Sequence, residues 1–215
     1  YKIMETLRPT KNCKLCIRLY DFRSDNKKKY PSYYNGAIPI YGDRNAELLI
    51  IGLAPGLKGA NNSGRPFTGD YAGEILYHTL AKYNYLYGEY NKNDLKKFSL
   101  KNCAITNAVK CVPPNNKPNA NEINNCQRFL LNDLASLKNI KAVLTLGRIA
   151  HNSLIKILNL KISEYPFKHN TEHKLNNLKL FNSYHCSRYN INTKRLTLEM
   201  FEDVFENIDY FIKNT

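Results

Sequence analysis

The sequence predicts an α/β fold with a parallel sheet, on three observations. Four short apolar runs, at 47–53, 104–109, 141–146 and 178–181, have the length of buried strands. Between them lie stretches with apolar residues at helical spacing, and such alternation of strand and helix implies a parallel sheet with helices on both faces. Glycine-rich and polar segments follow the strand ends, which is where such sheets bind ligands.

The chain opens on a polar segment carrying Cys13 and Cys16. The first strand leads into GLAPGLKGANNSGRPFTGD, residues 52–70, where five glycines and two prolines precede a single aspartate. A helix follows over 71–83, and Asp70 stands where a helix N-cap belongs. The tyrosine- and lysine-rich stretch 82–98 reads as a surface excursion. The second strand carries Asn107 and is closed by Cys111; the proline-stiffened VPPNNKPNANEINN then enters a helix at about 119–121 that runs to 137. The third strand is followed by a helix over 148–158, and the fourth by SYHCSRYN and a last helix over 196–212. No internal repeat interrupts this order.

A length of 215 residues fits one domain spanning 1–215. With 43% hydrophobic and 23% charged residues, the chain is neither disordered nor a membrane protein by composition. No apolar run reaches the roughly 18 to 20 residues of a spanning helix, and YKIMETLRPTKNC lacks the apolar core of a secretory signal. The expectation is a soluble, intracellular, monomeric protein, and the start at Tyr1 rather than Met reads as trimming or truncation. A net charge of +14 attracts polyanions, of which nucleic acid is the densest, but abundant Asn, Lys, Ile and Tyr also look like a codon bias that raises lysine without any ligand. Charge alone therefore decides nothing.

Six cysteines sit at 13, 16, 103, 111, 126 and 186. Without an export signal, metal or cluster ligation is the leading use of the CxxC at 13–16. Cys111 and Cys126, from loop and helix, can complete four ligands with it, and zinc or a 4Fe-4S cluster both suit four thiolates. Cys103 and Cys186 have no partner at ligand spacing and read as small hydrophobes.

Glycines 52, 56 and 59 permit close backbone approach to a ligand, yet the stretch matches neither GxxxxGK[ST] nor GxGxxG. Taken singly, Asp70 is a cap, Asn107 a turn residue, Phe67 core and His185 structural. Convergence above one sheet edge changes those readings, because an aspartate, a histidine, an amide and an aromatic face around a glycine-lined cleft form a nucleobase pocket.

GLAPGLKGANNSGRPFTGD, TNAVKCVPPNNKP, HCSRYN followed by RLTLEMF, and the cysteines at 13, 16, 111 and 126 together resemble the iron-sulfur uracil-DNA glycosylases, the family 5 type more than family 4, over almost the whole chain. The resemblance implies a three-layer α/β/α sandwich around a four-stranded parallel sheet. It also implies a structural 4Fe-4S cluster on Cys13, Cys16, Cys111 and Cys126, and excision of uracil flipped out of DNA, leaving an abasic site. Hypoxanthine and other deaminated bases belong to the implied substrate range, and both duplex and single strands remain open.

The chemistry gives each implied residue a role. Asp70 would stabilise an oxocarbenium-like sugar and orient water, and His185 would donate to uracil O2. The backbone at Gly52, Leu53, Ala54, Pro55 and Gly56 would hold the departing anion, Phe67 would stack on the base, and the Asn107 amide would pair with its O4 and N3 edge. Lys58, Arg65, Ser187, Arg188, Tyr189 and Asn190 would contact DNA, with Arg188 and Tyr189 filling the vacated stack or pressing the minor groove. Three departures from the family pattern stand out: Cys186 replaces a proline, Asn62 an arginine, and Gly56 of GLAPG mixes the signatures of families 4 and 5. The competing readings are a catalytically weak nucleic-acid-binding iron-sulfur protein and a redox carrier that needs none of Asp70, Asn107 or His185.

Overall fold

The computed structural model describes residues 7–215; the first six, part of the stretch read for a signal, lie outside them. All four expected strands are present: β2 (Leu48–Gly52), β5 (Cys103–Asn107), β6 (Ala142–Leu146) and β8 (Leu178–Ser183). They pair in parallel in the order β5, β2, β6, β8. The sheet is larger than expected, with six strands, because β1 (Tyr41–Gly42) adds antiparallel to β5 and β7 (Glu172–Leu175) antiparallel to β8. A two-residue strand has no readable period, and β7 spells EHKL, polar enough to pass for a loop. Edge strands as short as β1, or as charged as β7, discourage pairing with a second chain.

Alternation along β2 divides the core. Leu48 and Ile50 point into a cluster built with α3 (Tyr71–Lys82) and α7 (Leu198–Lys213) through Leu76, Leu80, Phe201 and Phe205. Leu49 and Ile51 point to the other face, against Leu130 and Leu134 of α4 (Ala120–Ala135) and Leu154 and Ile155 of α5 (Arg148–Ile157). These are the three layers the sequence anticipated. Truncating a fully buried side chain such as Ile50 to alanine costs about 2–5 kcal/mol.

Two segments correct the sequence reading. The excursion at 82–98 returns as a hairpin, β3 (Leu86–Gly88) with β4 (Phe98–Leu100), and buries Tyr85 and Phe98 in the core. Its Tyr90 stacks on buried Tyr77 at 4.6 Å and accepts the Gly69 N–H at 3.2 Å, so the hairpin braces the glycine-rich loop. The polar N-terminal segment forms α1 (Ile17–Lys29), which lacks an apolar stripe and is held by polar contacts instead. Arg18 makes a two-pronged bond to Glu122, 2.7 Å on each prong, at the start of α4. Glu122 also forms a capping box with Asn119, so one carboxylate fastens α1 and starts α4 where the sequence placed the helix entry.

Register then sets the functional edge. Gly52 lies opposite Asn107 at the carboxyl ends of β2 and β5, and Leu146 lies opposite Ser183 at the ends of β6 and β8. The segments leaving β2, β5 and β8 enclose one cavity.

Candidate active site

That cavity, about 270 Å³, is walled by Leu53, Ala54, Pro55 and Gly56 on one side and by Phe67, Asp70, Asn107 and His185 on the others. It falls just below the roughly 300–1,000 Å³ of small-molecule sites, a size for one base rather than a dinucleotide. Gly52, expected to touch the base, is buried and does not line the cavity, but it lies against two residues that do. A Cβ there would sit 2.5 Å from Asn107 Oδ1 and 2.5 Å from the Phe67 ring, so the paired register leaves room for those two side chains only if residue 52 has none.

Asp70 serves two masters, one with each oxygen. Its Oδ1 accepts the Gly73 N–H at 3.0 Å and caps α3, whereas Oδ2 turns to the backbone of Gly56 and Gly59; a Cβ on Gly56 would stand 2.9 Å from it. Capping holds the carboxylate rigid and leaves Oδ2 at the cavity wall. Phe67 reaches its place through a left-handed backbone, φ 52°, which costs a non-glycine residue strain and marks a segment whose shape is over-determined by its surroundings. Its ring stacks against His185 at 5.7 Å.

His185 is half-buried, and neither ring nitrogen has a hydrogen-bond partner among the described residues. Burial lowers its pKa below the ordinary 6.5, opposed by the negative charge of Asp70, so the imidazole is neutral at pH 7. Asn107 is the most informative side chain. It is 3% exposed and its Oδ1 has no protein partner, an omission worth about 1–3 kcal/mol in a buried acceptor. Below it a buried network fixes the strand end: Thr106 donates to Asp133 at 2.6 Å, and the Lys110 ammonium binds both Thr106 and Asp133.

The expected DNA-contacting residues divide. Lys58 is exposed on the glycine-rich loop and Tyr189 is 71% exposed beside His185, while Arg188 lies 5.1 Å over the Tyr71 ring. Ser187 and Asn190 shape the loop instead: Ser187 Oγ caps α6 (Arg188–Asn192), and the Asn190 amide donates to the His185 carbonyl at 2.8 Å. Arg65 is half-buried: it donates to the Leu95 carbonyl at 2.9 Å and lies 4.1 Å over Tyr41, which bind it to the hairpin and to β1. Asn116, also at the cavity, escaped the sequence reading; the one signal was an Asn-Asn pair between prolines, which takes up positive φ at Asn115 and Asn116. Cys186, in the place of the family's proline, is fully buried and its thiol donates to the Ala72 carbonyl at 3.4 Å, tying the His185 loop to α3.

Cys13, Cys16, Cys111 and Cys126 border a second, narrow pocket together with Leu19, Ala37 and Phe129. Cys111 lies in the loop beyond β5 rather than closing the strand, since the strand stops at Asn107. Among the described residues no three metal-ligating side chains close on a single-ion centre. The donor set nevertheless fits a thiolate-held group: four soft sulfurs from two distant segments face one apolar pocket, with buried Lys110 at its wall and the Arg23 guanidinium bonded to the Cys13 carbonyl. Burial pushes Cys111 up to about 12 and Cys126 to about 11, so without a compensating cation both stay protonated at neutral pH. Cys103 is core, as read from its spacing.

Fold and site together define a class. The family model described as "Uracil DNA glycosylase superfamily" matches residues 39–209, and the chain belongs to that superfamily. Within it, the chain is 38% identical to the type-5 uracil-DNA glycosylase of Thermus thermophilus over 89% of this chain and 90% of that one, and 36% identical to the type-5 enzyme of Pyrobaculum aerophilum over 90% and 86%. A type-4 uracil-DNA glycosylase of Saccharolobus solfataricus is 32% identical over 66% of this chain and 59% of its own. The crystal structure of wild-type Pedobacter heparinus SMUG2 shares the fold at a TM-score of 0.50 and 13% identity, covering 91% of this chain and 85% of that one.

Proposed function

We propose that the protein is a monofunctional DNA glycosylase that takes uracil, extruded from DNA, into the cavity and hydrolyses its N-glycosidic bond. The observation that carries this is the convergence of Asp70 Oδ2, the unpartnered Asn107 amide and the free His185 ring on one base-sized space.

Breaking the bond leaves positive charge on the sugar and negative charge on the departing base. Asp70, its geometry fixed by the Gly73 N–H, faces the sugar and orients a water whose oxygen bonds to C1′ while the glycosidic electron pair leaves with uracil. One of the water's protons stays on the new C1′ hydroxyl, and the other passes by way of the Asp70 carboxylate and solvent to the departed uracil anion. Neutral His185 donates a hydrogen bond to the base oxygen on which the negative charge gathers, and the amides of the Gly52–Gly56 turn add to that field. The buried Asn107 amide donates to O4 and accepts from N3–H, a pattern that cytosine, with donor and acceptor exchanged, cannot match. Phe67 excludes water on one face.

The four cysteines would hold an iron-sulfur cluster, whose contribution is to cross-link the Cys13–Cys16 segment to the loop and helix beyond Asn107. Broad visible absorption of the purified protein, lost on chelation, checks that assignment against zinc. The function is tested by incubating the protein with a uracil-containing duplex and adding alkali to cleave abasic sites. Strand scission is expected, with a large loss in Asp70→Ala; scission unchanged in that variant removes Asp70 from the reaction, and no scission of uracil, hypoxanthine or xanthine substrates leaves a nucleic-acid binder.

A further inference from the structure

Around His185 the chain sets out arginines in an unusual state. Arg188 lies 5.1 Å over Tyr71, Arg195 4.7 Å over Tyr184 and Arg148 5.8 Å over Phe167. All three are exposed, and among the described residues none joins a carboxylate or donates to a carbonyl. Arg18, Arg23 and Arg65, by contrast, are each committed to protein oxygens. The aromatic seats are contiguous with the cavity. Tyr71 follows Asp70, Tyr184 precedes His185, and the Tyr184 and Phe167 rings are 6.2 Å apart. Arg148 follows Gly147, where a Cβ would lie 3.9 Å from that of His185.

We propose that Arg195 and Arg148 extend the Arg188 contact into a track for one phosphodiester strand, running from the mouth of the base cavity across Tyr184 and Phe167. A guanidinium laid on an aromatic face has its plane and stem fixed, while its edge N–H groups stay free. Those edges form the planar fork that matches two phosphate oxygens, so little side-chain entropy remains to be lost on binding. An exposed arginine without an aromatic seat would lack this preorganisation. Arg188 and Arg195 stand seven residues apart, in HCSRYN and RLTLEMF, whereas Arg148 lies forty residues earlier and reaches them only because β6 pairs with β8.

This inference rests on the glycosylase reading for its partner, DNA, but its test is separate. Binding of the full chain to a uracil-free and a uracil-containing duplex is measured by fluorescence anisotropy across about 50 to 200 mM salt, for wild type, Arg195→Gln, Arg148→Gln and the double variant. Each substitution should lower the slope of log affinity against log salt by about 0.9 and weaken binding equally for both duplexes. Scission at saturating duplex should stay within about twofold of wild type, because neither arginine lines the cavity. Arg44→Gln, an exposed charge by the β1 edge, should leave the slope unchanged. Phe167→Leu, which keeps the charge but removes the seat, should weaken binding with the slope retained. Slopes equal to wild type in both single variants and the double variant overturn the track even if uracil is excised. Lowered slopes in a protein that excises nothing keep the track and remove the glycosylase.

Discussion

At the scale of single residues, Asp70 shows why a structural and a chemical reading need not compete. One oxygen caps α3 and the other faces the cavity, so the two jobs separate by substitution. Asp70→Asn keeps an acceptor for the Gly73 N–H and removes the charge. Its denaturant midpoint should stay near wild type while single-turnover scission falls about 100-fold or more, the scale of losing one preorganised electrostatic group. Asp70→Ala should lose the same activity and, in addition, about 1 kcal/mol of stability with the cap. Asn107 gives the opposite test. Its Oδ1 is a buried acceptor without a protein partner, so Asn107→Ala relieves that penalty as it opens a small void; stability should hardly change while uracil excision drops sharply. Both residues were legible in the sequence, Asn107 because it closes an apolar run and Asp70 because it stands at a helix start at the end of the glycine-rich segment. The unpaired state of the Asn107 oxygen was not, since it depends on what does not approach from other strands.

At the scale of elements, the unit to test is the β5–α4 connection, which carries Asn107, Cys111 and Cys126. Lys110 and Asp133 are 1% and 2% exposed and join its two ends through Thr106. Removing one member strands a buried charge, so Lys110→Met should cost about 3–5 kcal/mol in urea unfolding, whereas Lys110→Met with Asp133→Leu should recover much of that loss. A double variant as unstable as the single one would show that the pair itself, not the stranded charge, supplies the stability. Sequence periodicity found every long helix except α1, which buries one apolar residue, Leu19, beside Arg23 and Asn26 and is held by Arg18 and Arg23. It also missed the β3–β4 hairpin, where Tyr90, solvated by composition, is packed on Tyr77 and Phe98.

At the scale of the whole molecule, burial lowers the pKa of His185, His151 and His169 below 6.5. The folded state therefore binds fewer protons than the unfolded state as acid is added. Stability contributed by these neutral rings is complete above 6.5 and is lost as pH falls through their lower folded values. Urea midpoints should thus decline from about pH 7 downward, before the carboxylates titrate, and His185→Gln should flatten part of that decline. Glu47, whose pKa Lys141 holds below 4.5, adds a further loss only in stronger acid. A midpoint independent of pH across the histidine range would contradict the burial of these rings. No helix among the described residues is long and apolar enough to cross a membrane.

The sequence alone determined the alternation of strand and helix, the strand ends where Gly52, Asn107 and His185 stand, and the cysteine pairs, because each is written in local spacing. Only the tertiary structure decided that Arg65 is bound into the hairpin while Arg195 and Arg148 stay free, that Asp70 divides its oxygens, and that the Asn107 acceptor is left unpaired. The physical reason is that a side chain's availability depends on which groups from distant segments come within bonding distance, and strand register and helix packing set those distances.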